Sequence, residues 1–301
     1  MNESAPELPN QDISSYESKV VKGYDQLGQE GLGIEKWGTT MVGSRRFNAY
    51  TDTGFIRNTF SEPIQRMFGG KDNIVIADLG GDNGYLLNQV TTDLREDNPQ
   101  CNIQGMVTDI DSIGKARQAF EREKKEGHRE NIEYVVGDIT KLPFATESLD
   151  VVISRMALQY LDEKQQKEFF DEISRVLRKE GLGIIQSVAA ETNDKGFNEV
   201  MSQVTQAISG SSNFKRYFPH FGTFTRHTDF SQEFNLSLLF GSTNLIFPLS
   251  AQAWADRFHI DVKILEDIFE KEQKKYPELF SVIDGQLCIR SRLLDLRFKK
   301  V

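Results

Sequence analysis

The sequence predicts an α/β fold, a doubly wound and mostly parallel sheet with helices on both faces. Three observations predict it. Between residues 74 and 188 short apolar runs of strand length alternate with helical patterns of roughly 10–16 residues. The first run, Ile74-Val75-Ile76-Ala77-Asp78-Leu79, has the profile of a strand buried on both faces. It ends in Gly80 and Gly81, so the chain turns sharply at the strand's carboxyl end. Parallel strands joined through helices wind right-handedly, which gathers these runs into one sheet.

Each element follows in order. Residues 1–15 are polar and poor in large apolar side chains, and read as a tail. Residues 16–72 mix aromatics such as Tyr24, Trp37, Tyr50 and Phe55 with glycines and form an N-terminal cover, with a helix over 54–68. The core occupies 73–190. A helix over 84–95 follows the first strand, then a strand over 103–108. Asp111 or Ser112 caps the next helix, whose Ile113, Ala116 and Phe120 share a face and which Gly127 closes. A strand over 132–136, a loop over 137–147 and a strand over 149–153 come next. Asp162 opens another helix, with Gln165 three positions on as a variant capping box. Phe169, Ile173, Val176 and Leu177 make its buried stripe, and Gly181 stops it before a strand over 183–188.

At 191 the rhythm breaks. Residues 191–249 hold Phe214, Phe218, Phe221, Phe224, Phe230, Phe234, Phe240 and Phe247, dense enough to need a wall to pack on. They read as an insertion after the fifth strand, equally suited to core packing and to a lid over an apolar ligand. Residues 250–301 return to helices near 250–258 and 262–275, then strands over 279–284 and 287–298. Asp284-Gly285 is the hairpin turn between these strands. The expected total is seven strands, the last antiparallel, with 16–301 forming a single domain.

Composition sets the boundaries. Hydrophobic residues at 38% and charged residues at 27% belong to a globular protein rather than a disordered chain. A net charge of −9 repels a phosphate backbone, so nucleic acid is not the expected partner. Cys101 and Cys288 lack metal-ligand spacing and read as two buried thiols in a reducing compartment; no metal is expected. No apolar run approaches the roughly 18 residues of a membrane span. The start, MNESAPELPNQD, lacks the basic and apolar regions of a leader. The expectation is a cytoplasmic protein that does not enter a membrane, and a homodimer is the assembly left open.

The chemistry concentrates in IVIADLGGDNGYLL, residues 74–87. Glycines at a strand-to-helix turn allow close backbone approach to a ligand, and a helix N-terminus offers N–H groups to an anion. Dinucleotide pyrophosphates and the amino-acid end of S-adenosylmethionine both use such a turn. The spacing separates them: Gly80, Gly81 and Gly84 depart from G-x-G-x-x-G, and Tyr85 stands where the third glycine belongs. Asp78 can accept from an ammonium group and would repel a pyrophosphate.

Residues 74–188 resemble the class I S-adenosylmethionine-dependent methyltransferases, especially the small-molecule group of ubiquinone and menaquinone biosynthesis. The resemblance rests on DLGGDNG (78–84), TDIDS (108–112), GDITKLPF (137–144) and SLDVVISRMALQYL (148–161), in order and at ordinary spacing. It implies a Rossmann-like sheet and S-adenosylmethionine as cofactor. Asp78, Gly80, Gly81 and Gly84 would hold the methionine end. Asp109 would take the ribose hydroxyls and Ile110 would lie against the adenine ring. Asp138 would accept from the adenine amino group, with Ile139 offering its backbone N–H. Arg155 and Met156 would stand nearest the methyl donor and the substrate.

One residue departs from the family: Asp82 occupies a turn position where glycine is usual. Catalytic candidates are Tyr160, after the fourth strand, and His220 and His227, which flank FGTFTR in the aromatic segment. The implied reaction is methyl transfer to a small, partly apolar molecule. The alternatives are a binding module without turnover and a cofactor-binding enzyme that cyclises, rearranges or decarboxylates its substrate.

Overall fold

A computed structural model describes residues 39–42, 45–48, 52–110, 115–125, 131–158, 161–189, 195–211, 229, 233–234, 236–248, 250–252, 255, 260–283 and 285–301. The elements run β1 (Thr39–Val42), β2 (Arg45–Asn48), α1 (Thr53–Ile56), a π-turn (Arg57–Ser61), α2 (Glu62–Phe68), β3 (Asn73–Leu79) and α3 (Tyr85–Asp97). Next come β4 (Asn102–Asp109), α4 (Lys115–Lys125), β5 (Ile132–Val136), β6 (Leu149–Arg155), α5 (Glu163–Val176) and β7 (Leu177–Ala189). The chain continues through α6 (Lys195–Ser211), β8 (Leu236–Pro248), α7 (Val262–Lys275), β9 (Phe280–Ile283) and β10 (Gln286–Lys300).

The strands form one sheet in the order β2-β1-β8-β10-β7-β6-β3-β4-β5, with β9 paired to β10. Pairings from β7 through β5 are parallel. β10 runs antiparallel to both β7 and β8. Of the expected seven strands, the first five are β3 to β7 and the last two are β9 and β10, with β10, the last in sequence, antiparallel to β7; β8 is a strand beyond those expected. A β1–β2 hairpin extends the sheet beyond β8 through Met41 opposite Ile246.

Both faces are covered. On one, Ile56, Phe60, Ile64, Leu87, Val90 and Phe120 from the helices pack on Ile76, Ile103, Val151, Ile153 and Ile184. On the other, Phe169, Phe170 and Ile173 of α5 pack on Ala77, Leu79, Val152, Ile185, Leu296 and Phe298. α5 begins as its sequence predicts: Asp162 accepts from the Gln165 amide at 2.9 Å and Gln165 returns the contact at 3.0 Å. A third cluster joins α6 and α7 to β9 and β10 through Phe197, Val200, Leu265, Phe269, Phe280 and Ile289. Cys101 and Cys288 are both buried and form no disulfide.

Three expectations change. Gly181 does not end α5. The helix stops at Val176, and β7 pairs Leu177 with Leu149, then jumps to Leu182 opposite Val151. The bulge between them puts Glu180 at φ 65° and brings Arg178 Nη1 to within 2.8 Å of buried Asp150 Oδ2. The segment 191–249 is not wholly an insertion, because its end forms β8, hydrogen-bonded along β10 from Leu236 to Pro248. Its stretch with Phe214, Phe218, Phe221, Phe224 and Phe230 lies outside the described residues, as do residues 1–38 of the expected tail and cover. Finally, the helix over 54–68 is present but contains the π-turn, beside which Ser61 Oγ donates to buried Asp93 at 2.6 Å.

Candidate functional site

The carboxyl ends of β6, β3, β4 and β5 stand side by side. The chain leaves β3 toward β4 on one flank and reaches β6 on the other. The turn after β3 therefore lies where strand order reverses, which is where open α/β sheets hold ligands.

Asp78, next to last in β3, is 1% exposed, and neither carboxylate oxygen has a hydrogen-bond partner. Burial pushes its carboxyl up to about 7; the Arg155 charge opposes this, Asp109 and Asp82 add to it, and the Leu87 amide exerts a smaller downward pull. The carboxylate lies beneath the turn, because a Cβ on Gly81 would come within 2.8 Å of Asp78 Oδ2.

The turn is fastened to β4. The amides of Gly80 and Gly81 donate to the Thr108 carbonyl at 2.7 and 3.2 Å, and the Asp82 amide donates to Asp109 Oδ2 at 3.0 Å. Gly80 (φ 69°), Asp82 (φ 49°) and Gly84 (φ 77°) take left-handed conformations. A Cβ on Gly80 would meet Ala157 Cβ at 2.6 Å, and one on Gly84 would meet Val107 at 2.8 Å. These glycines thus let the turn lie close on its own protein, and the Gly80 and Gly81 amides are spent inside it. Ser154 Oγ adds a strap to the Leu79 carbonyl at 2.7 Å.

The other predicted residues gather at the same edge. Asp109 ends β4 and is half-buried, as is Ile110 after it. Asp138, just past β5, folds back through Oδ1, which accepts from the Thr140 amide at 2.8 Å and hydroxyl at 2.7 Å. Ile139 packs against the cluster under α5. Arg155 ends β6, and its charge reaches Asp78. Tyr160, His220 and His227 lie outside the described residues. Among the described residues no group of three or more His, Cys, Asp or Glu could hold a metal ion.

Two residues escaped the sequence reading. Arg155 is opposite Gln186 on β7, which is opposite Asp295 on β10, so the three form one row on the face of Asp78. Gln186 Nε2 donates to Asp295 Oδ1 at 2.9 Å, both residues being buried. Burial raises the Asp295 carboxyl, while Gln186 and the Arg297 charge lower it. The signal that could have found them is a polar residue set between apolar ones in each strand, Gln186 in IIQSV and Asp295 in LLDLRF.

Residues 84–185 match the family model described as a methyltransferase domain. Over that stretch, about a third of the chain, the sequence is similar to that domain. It is 33% identical over 113 residues to an arsenite methyltransferase of Halobacterium salinarum, covering 38% of this chain and 27% of that relative. The curated relatives matched are spanned for 41%, 27% and 21% of their own lengths, less than half in each case. Among solved structures, the chain has the fold of a candidate methyltransferase from Bacillus halodurans, with a TM-score of 0.61, 17% identity, and coverage of 80% of this chain and 98% of that one. It also shares the fold of the [4+2]-cyclase SpnF, with a TM-score of 0.57, 12% identity and coverage of 96% and 94%. The resemblance to class I methyltransferases thus extends from four short motifs to the domain and the sheet that carries it.

Proposed function

We propose that the methyltransferase domain binds S-adenosylmethionine at the β6-β3-β4-β5 edge and directs its methyl group to a small, partly apolar acceptor. The observation that carries this reading is Asp78, a buried carboxylate without a partner beneath the turn at the switch point. A buried charge needs compensation, and the ammonium of an amino-acid moiety supplies it where a pyrophosphate cannot.

The remaining residues fit the same ligand. Asp109 would accept the ribose hydroxyls, since a carboxylate has acceptor sites beyond the one that meets the Asp82 amide. Asp138 would accept from the adenine amino group, between Ile110 and Ile139. Gly80, Gly81 and Gly84 keep the turn low enough to admit the methionine end. The cofactor's sulfonium supplies an activated methyl whose bonding pair stays on sulfur as the acceptor bond forms. The protein's contribution is then alignment and exclusion of water, and an oxygen or nitrogen acceptor gives its proton to solvent or a neighbouring base. The row Arg155, Gln186 and Asp295 would floor the acceptor side. Net charge −9 supports a small molecule over a nucleic acid as acceptor. Among the described residues no helix is long and apolar enough to cross a membrane.

The fold shared with the [4+2]-cyclase keeps a second reading in play, in which the same cofactor site supports a rearrangement. Product mass separates the two: methyl transfer adds one methyl group to the acceptor. The first reading is tested by thermal unfolding with ligands. S-adenosylhomocysteine should raise Tm and NAD should leave it unchanged. Stabilisation by NAD alone would overturn the assignment.

A further inference from the structure

The loop between β5 and β6, residues 137–148, carries Asp138 and Ile139, the two groups proposed above to meet adenine, yet holds neither helix nor strand. Its backbone polar groups must therefore find partners elsewhere. One end is tied to β4, where the Gly137 amide donates to the Asp109 carbonyl at 2.9 Å. The other is tied to α5 through one pair of side chains. Glu172 Oε2 accepts from the Leu142 amide at 2.5 Å. Arg175 donates through Nη1 to the Phe144 carbonyl at 2.8 Å and through Nη2 to the Leu142 carbonyl at 3.0 Å. The pair is also locked to itself as a fork, Nε to Oε1 and Nη2 to Oε2, both at 2.7 Å. Glu172 and Arg175 stand three positions apart on one helix face, and both are half-buried.

Resting on the cofactor site proposed above, we propose that Glu172 and Arg175 are positioning residues for adenine recognition, holding the loop in the shape that presents Asp138 and Ile139 to the base. Neither touches the cofactor; they act through the backbone they grip. The Lys141 amide donates to the Asp138 carbonyl at 2.9 Å, and Asp138 Oδ1 accepts from the Thr140 amide and hydroxyl, which leaves Oδ2 as the oxygen for a ligand. That turn ends at Lys141 and the grip of α5 begins at Leu142, so the two are continuous in the chain. Ile139, Leu142 and Phe144 also pack into the cluster under α5. Apolar burial holds the loop down without fixing its direction, because it is non-directional. The fork supplies direction, since a planar guanidinium meets a carboxylate and two carbonyls in one arrangement. A reader made of one acceptor and one donor works only while their spacing is kept, because hydrogen bonds weaken steeply off their geometry.

The test is isothermal calorimetry on the full chain with S-adenosylhomocysteine and S-inosylhomocysteine. In the second probe a carbonyl replaces the adenine amino group and the neighbouring ring nitrogen carries a proton, so donor and acceptor are exchanged. The wild type should bind the adenine probe about tenfold or more tightly than the inosine probe, the scale of losing a charged hydrogen bond. Arg175→Ala removes the grip on both carbonyls and should cut that preference by about threefold or more. Should Arg175→Ala fail to fold, Glu172→Gln carries the same test, because it keeps the side chain's size while weakening the fork. A pair that only stabilised the fold would, when broken, weaken both probes alike and leave their ratio unchanged. A ratio within about twofold of the wild type in the folded variant therefore overturns the inference and leaves the cofactor site standing. A wild type that binds both probes equally overturns it too, since the loop then does not read the base. If the wild type binds neither probe, the cofactor site is wrong and this inference falls with it.

Discussion

Asp78 stands buried under a positive-φ turn with neither carboxylate oxygen hydrogen-bonded, and this has a measurable sign. Its carboxyl is raised from 3.8 to about 7 in the ligand-free fold, so between those values the unfolded chain gives up a proton that the folded chain keeps. Stability from this group is full below pH 4 and declines as pH rises toward 7, by on the order of 4 kcal/mol. Asp78→Asn should therefore be more stable than the wild type at pH 8 without ligand, with the gap closing toward pH 4. Cofactor affinity in the wild type should rise as pH climbs through about 7, because a cation favours the ionised carboxylate. Thermal unfolding of both proteins across that range, with and without S-adenosylhomocysteine, checks both statements; a gap that ignores pH would remove Asp78 from this role. Asp78 was legible in the sequence, since an acid closing an apolar strand before glycines has few bland explanations. Its missing partner was not legible, because it depends on what surrounds it in space. Gln186 and Asp295 were hidden for the same reason, being 109 positions apart and joined only by strand register.

Elements with a local cause were the easiest to read. α5 starts at its capping box, and β9 and β10 turn at Gly285, which adopts φ 77°. Elements whose cause is a distant neighbour were not. β8 carries an apolar run that could equally line a lid; only pairing with β10 makes it a strand. Likewise β7 begins at Leu177 because Asp150 draws the bulge toward β6. One strand pair gives a direct test. Gly183 faces Phe298 across β7 and β10, and a Cβ on Gly183 would come within 2.1 Å of the ring. Phe298 is fully buried and stacks edge-on against Phe170 with ring centroids 5.6 Å apart. Phe298→Ala should cost about 3–5 kcal/mol of stability. Gly183→Ala should cost about 1–3 kcal/mol through overpacking, yet be close to neutral once Phe298 is already alanine. Chemical denaturation of the two single variants and the double variant measures the coupling, and simple additivity would contradict the packing described.

For the whole molecule, the parallel half was readable because βαβ units repeat locally, with a helix between successive strands everywhere except between β5 and β6, which a loop joins. Of the antiparallel half only the β9–β10 hairpin and the reversed last strand were readable; β8 and the β1–β2 hairpin were not, because they lie far apart in sequence yet adjoin in the sheet. The sheet has a middle that arrives late. β10 pairs with β7 on one side and β8 on the other, but follows both in the chain. On the ribosome, β3 to β7 can pair as they emerge, whereas β8 must wait with one edge bare for its neighbour. Such late, long-range pairing is slow and leaves a template for wrong partners. Nascent chains stalled before β10 has emerged should accordingly show protease protection over 73–189 and cleavage within 236–248. Protection of both segments at that stage would mean that β8 finds a shelter other than β10. A chaperone that covers a bare strand edge would then act on this protein in one interval of its synthesis, between the exit of β8 and that of β10.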